Sequence, residues 1–158
     1  MKKIKKLFVI TIALLASVTL VGCGAKEKNL EGSLEELMTK VYQNIPEDKL
    51  PMMLSNTKVT EENVEYYLGT KDIEFKEALA SEPMVGSIAH SVVLVRTKDN
   101  ANVEEVKKKI KDNVDPRKWI CVGVEENDVI VENKGNLIIL IMSSELKEDI
   151  QKGFENLK

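Results

Sequence analysis

The chain predicts an α+β domain, a mainly antiparallel sheet of about five strands with helices packed on it, in the order α-α-β-β-α-β-β-β-α. Three observations lead there. Apolar residues recur at helical spacing in four separate stretches. Between those stretches the apolar period falls to two, or the run becomes unbroken, as strands require. Turn-forming residues bound the runs, and only one connection, from the second strand through a helix to the third, is long enough to create a parallel pair.

The elements follow in order. Ser33 with Glu36 forms a capping box, and Leu34, Leu37, Met38, Val41 and Ile45 then give a helix over 33–45 one apolar face. Pro46 and Pro51 end it and open an irregular stretch. A shorter helix runs from Thr60, its cap, to Leu68, with Gly69 as its stop. Ile73, Phe75, Glu77 and Leu79 alternate with Glu74, Lys76 and Ala78 in a half-wet strand. Pro83 to Gly86 makes a hairpin connection to a second strand, 87–97. Asn102 caps a helix carrying Val103, Val106, Ile110 and Val114, which ends at Asp115-Pro116. Three strands are expected next, at 118–124, 128–132 and 137–142. The last of them, Leu137 to Met142, is apolar on both parities and so belongs at the centre of the sheet. Ser144 starts a final helix whose stripe is Leu146, Ile150, Phe154 and Leu157. With several strands apolar on both sides, helix 33–45 is expected to cover the second face and leave a monomer.

The N-terminus carries a different signal. Lys2, Lys3, Lys5 and Lys6 precede an uncharged run, Leu7 to Val21, that is too short for a spanning helix of roughly 20 residues. Leu20-Val21-Gly22-Cys23 then resembles the lipobox of bacterial lipoproteins. That resemblance implies removal of a signal peptide, 1–22, diacylation of Cys23, and anchoring at the outer face of the cell membrane. Residues 23–32 become the lipidated cysteine and a short polar tether, and 33–158 the single domain. Two acyl chains suffice for stable anchoring where one does not. Without the four signal lysines, 19 basic residues face 26 acidic ones, a net charge of about −7. Such an acidic balance argues against nucleic acid as a partner.

Few residues carry the marks of chemistry. His90 is the only histidine, which excludes histidine-rich metal sites. Ser87 and His90 lie three apart on one expected strand and so point to opposite faces. The glycines of the domain are scattered, so none builds a phosphate loop. Five methionines outside the signal offer thioethers, but only Met52 and Met53 are adjacent. Cys121, within the apolar run Trp119 to Val124, is expected to be buried and inert. No catalytic residue, metal or cofactor is therefore expected. One polar-aromatic patch is singled out: Arg117 and Trp119 share a parity beside a turn, and Glu82 and His90 face each other across the hairpin.

The stretches Glu82 to Arg96 and Asp115 to Val124, together with the lipobox, resemble a family of small lipoproteins of clostridia-like Gram-positive bacteria whose domain has no assigned function. The resemblance covers roughly residues 35–145. It implies an extracytoplasmic, lipid-anchored α+β domain and carries over no catalytic residues. The expected function is a non-enzymatic binding or interaction module whose partner is an envelope protein or a small ligand. The alternative is a small cell-envelope hydrolase using a carboxylate pair, with the two carboxyls roughly 5–10 Å apart.

Overall fold

The computed structural model describes residues 29–158. The expected lipid site, Cys23, and the segment 1–22 lie outside those residues. The described chain forms an α+β fold around one five-stranded sheet in which every neighbouring pair is antiparallel.

The strands are β1 (Leu54–Lys58), β2 (Phe75–Pro83), β3 (His90–Thr97), β4 (Val129–Lys134) and β5 (Leu137–Ser143), in the spatial order β1-β2-β3-β5-β4. Two hairpins, β2–β3 and β4–β5, meet at the β3–β5 seam. All eight residues of β3 and all seven of β5 are buried, as unbroken apolar runs require of central strands. Alternation along them sends Leu79, Val92, Leu94, Ile139 and Ile141 to one core, and Ala80, Val93, Val95, Ile138 and Leu140 to the other.

The first core is closed by α1 (Leu34–Tyr42) and α4 (Lys147–Glu155). The capping box of α1 is in place, with Glu36 N–H donating to Ser33 Oγ at 3.2 Å and Ser33 N–H donating to Glu36 Oε2 at 3.2 Å. The two helices pack backbone against backbone at Gly153, where a Cβ would stand 2.0 Å from the Val41 carbonyl oxygen. The second core is closed by α2 (Val64–Leu68), α3 (Val103–Asn113) and the segment 116–124. Asn102 caps α3 by accepting from Glu105 N–H, and Gly69 stops α2 at φ +77°. Helix 33–45 therefore covers one face with α4, while other elements cover the second.

Four local expectations are corrected. Residues 118–124 are not a strand and β1 is one, so the element order becomes α-β-α-β-β-α-β-β-α and no parallel crossover arises. Both edges of β3 and of β5 are already occupied, and Cys121 adopts φ +61°, which breaks any extended run. The segment instead closes on itself through Val124 N–H to Pro116 O at 2.9 Å, and drops Trp119 and Val124 into the second core. Cys121 is consequently exposed, not buried. The fifth strand is β1, in which Leu54 packs partly against the first core while Ser-Asn-Thr-Lys are polar, because only the edge of β2 demands them. Ser144 does not cap α4; its hydroxyl donates to Asp128 Oδ2 at 2.6 Å, and the helix begins three residues later.

Residues 29–32 are fixed at one end of the sheet. Arg96, almost fully buried, donates to Leu30 O at 2.5 Å and Gly32 O at 2.8 Å, and its Nε pairs with Glu77 at 2.7 Å. Asn136 N–H donates to Asn29 Oδ1 at 3.1 Å. The opposite end, where β2 finishes and β3 begins, carries the loops described next.

Candidate functional site

Four loops gather at the end of the sheet remote from residue 29: 46–53, 84–89, 114–127 and 144–146. Hydrogen bonds tie three of them into a continuous rim. Met84 N–H donates to Met53 O at 3.0 Å, and Ile120 N–H donates to Gly86 O at 2.9 Å. Met53 adopts φ +58°, an uncommon conformation for a residue with a side chain, as does Cys121 on the neighbouring loop.

This rim is where the molecule exposes its large apolar side chains. Met52, Met53, Met84 and Ile120 are 75%, 60%, 71% and 72% exposed, and Val85 and Tyr66 are exposed beside them. Among the described residues these six are all of the exposed large hydrophobics. A scatter of single exposed apolar residues is ordinary, whereas their collection at one end is what interaction surfaces show. The same four loops carry six exposed carboxylates, Glu47, Asp48, Asp115, Glu125, Glu126 and Glu145, against two exposed cations, Lys49 and Arg117. An open cleft of about 350 Å³ enters the same end between Pro51, Ile88, Val122 and Leu146.

A buried ion pair holds the 114–127 loop in place. Lys118 runs inward, its side chain 4% exposed, and its ammonium meets Glu82 Oε1 at 2.5 Å, where the Glu82 side chain is 12% exposed. The ammonium also lies 4.4 Å from the ring centre of Tyr66, 5.1 Å from Tyr67 and 5.4 Å from Trp119. Burial pushes the Lys118 pKa down, opposed by the Glu82 charge. Tyr66 is pushed up to about 12, by burial first and then by the Glu82 carboxylate, to which its hydroxyl donates at 3.4 Å. Lys118 inward and Ile120 outward are thus two results of one loop conformation.

No protein family, curated protein or solved structure matches this chain.

A further buried polar group lies on the opposite face. His90 Nε2 is 3.0 Å from Tyr42 Oη, and its Nδ1 is 3.1 Å from Ser143 Oγ. Both ring nitrogens have a hydroxyl partner whichever tautomer is present. Burial lowers the His90 pKa to about 4, so the ring is neutral at neutral pH. The chain ties α1 to β3 and β5 beneath the cleft. Both His90 and Ser143 are buried in their strands, and both line the floor of the cleft.

The four residues of the sequence-expected patch separate accordingly. Glu82 and Trp119 meet around Lys118; Arg117 is exposed above them; His90 faces the other core, because β3 sends successive side chains to opposite sides. Sequence reasoning missed Lys118, Tyr66 and Tyr67, although the adjacent tyrosines were a visible signal. It also missed the gathering of Met52, Met53 and Met84, which only the pairing of β1 with β2 brings about. For the carboxylate-pair alternative, the cleft is lined by one acidic residue, Glu145. A second groove holds Asp112 and Glu126, both exposed, with Asp112 already paired to Lys108. Among the described residues no helix is long and apolar enough to cross a membrane.

Proposed function

We propose that this chain is a non-enzymatic interaction module, held at the outer face of the cell membrane by lipid on Cys23, that docks an envelope partner through the apolar rim. The observation that carries the reading is the collection of exposed methionine, valine, isoleucine and tyrosine side chains at one end of the sheet. Methionine suits such a surface because its flexible thioether adapts to different partners. The Leu-Val-Gly-Cys stretch and its likeness to small clostridial lipoproteins support the location.

The geometry is consistent with that location. Residues 29–32 are pinned at the end opposite the rim. Eight residues of β3 separate the two ends, a span of about 25 Å at 3.3 Å per residue. A tether leaving at residue 29 therefore presents the rim away from its point of attachment.

Two measurements test the reading. Cys23→Ala should release the protein from the membrane fraction, and the wild-type mature N-terminus should carry diacylglycerol by mass; a membrane-bound variant cut at the same site overturns the anchor. A photo-crosslinking residue at position 84 or 120 should yield a discrete adduct on intact cells, while one at Thr57, on the exposed edge strand, should not. Equal labelling from all three positions overturns the docking surface.

A further inference from the structure

We infer that the rim is built for a cationic amphipathic segment of another protein, apolar on one face and lysine- or arginine-rich beside it. This inference rests on the docking reading above and adds the chemistry of the occupant. Its basis is the arrangement of the four loops at that end. Their six exposed carboxylates and two exposed cations leave four net negative charges, while the Lys118–Glu82 pair cancels inside. The apolar tips Met52, Met53, Met84 and Ile120 rise from three of the same four loops whose carboxylates make up this acidic border. An occupant must match both features, with apolar side chains over the tips and positive charge toward the border.

Charge decides among the other occupants. A second copy seated face to face would oppose two acidic borders, and like charges across an interface disfavour docking. An anionic lipid surface would be repelled for the same reason. A cationic helix gains from the border and covers the tips in one contact, in the helix-in-groove manner.

The test uses the full-length protein in phosphatidylcholine nanodiscs, with empty nanodiscs subtracted. The probes are two fluorescent peptides of about 18 residues, one of leucine and lysine with an amphipathic helical pattern, the other with glutamate at every lysine. The lysine peptide should bind at least about tenfold more tightly than the glutamate peptide, and the difference should shrink with added salt. Combined Met52→Ser, Met84→Ser and Ile120→Ser should lower its affinity about tenfold or more. These side chains are mostly exposed, so the fold should persist, and an unchanged circular dichroism spectrum checks this. Combined Glu125→Gln, Glu126→Gln and Glu145→Gln should weaken the lysine peptide and leave the glutamate peptide unchanged or tighter.

Equal binding of the two peptides overturns the cationic occupant while leaving an apolar docking surface. Undiminished binding by the serine variant overturns the docking surface itself. Binding of neither peptide overturns the cationic amphipathic class. Concentration-dependent self-association that the serine variant abolishes assigns the rim to a second copy instead.

Discussion

Replacing Gly153 by alanine sets two physical effects of opposite sign against each other. Gly153 sits inside α4, where alanine is favoured over glycine by about 1 kcal/mol of helix propensity. Its Cα also faces α1 so closely that the new Cβ would stand 2.0 Å from the Val41 carbonyl oxygen and 2.9 Å from its carbon. Restoring ordinary contact, 3.4 Å or more, requires the helices to part by about 1.4 Å. The obstacle is main chain, so no rotamer relieves it, and parting loosens Met38, Val41, Ile150 and Phe154 together. Overpacking of this kind costs about 1–3 kcal/mol, and a rigid backbone obstacle places it at the upper end, so the net effect is a loss of about 2 kcal/mol. With a urea dependence of about 2 kcal/mol per molar, the unfolding midpoint falls by about 1 M. Urea titration by far-ultraviolet circular dichroism reads this directly, with Lys152→Ala on the exposed side of the same helix as the control. A variant as stable as the wild type, or more stable, would show that propensity wins and that α1 and α4 do not pack through this glycine.

Three further outcomes follow from two buried groups and one exposed cysteine. The folded His90 pKa of about 4 lies below the unfolded value of about 6.5, so the unfolded state binds more protons between them. Its contribution is therefore complete above about pH 6.5 and is lost as pH falls toward 4, by up to about 3 kcal/mol; the stability difference between wild type and His90→Gln should change over that window, and a difference that stays flat refutes the burial of a neutral ring. Lys118→Met leaves Glu82 without its partner and should cost about 3 kcal/mol, whereas adding Glu82→Leu should recover part of the loss; a double variant less stable than the single one contradicts the buried pair. Cys121 should label rapidly with a thiol reagent in the folded protein, located by peptide mass, and Cys121→Gly should raise stability by up to about 1 kcal/mol because glycine accepts φ +61° without strain.

Much of the fold was legible in the sequence because its signals were strong and local. The capping box of α1, the asparagine cap of α3 and the two-parity apolar run of β5 each name an element without help from the rest of the chain. β1 was not legible. Its five residues bury little beyond part of Leu54, and its strand conformation comes from main-chain bonds to β2. The 118–124 segment misled for the converse reason. Its Trp119, Val122 and Val124 pack as a plug in the second core, an arrangement whose composition matches that of a strand. The candidate site shares both causes, since its apolar tips come from four loops that no sequence period links, and its anchor is a lysine drawn inward by residues 36 positions away.

The contact between α1 and α4 also orders events in time. α1 begins at residue 34, yet its packing partner ends at residue 155, so the first core cannot close until nearly the whole chain has emerged. The two hairpins can form early from neighbours in sequence, but they leave one apolar face bare until the last helix arrives. A chain delivered N-terminus first would thus carry a half-covered sheet through most of its emergence, and would set only on release of its final turn.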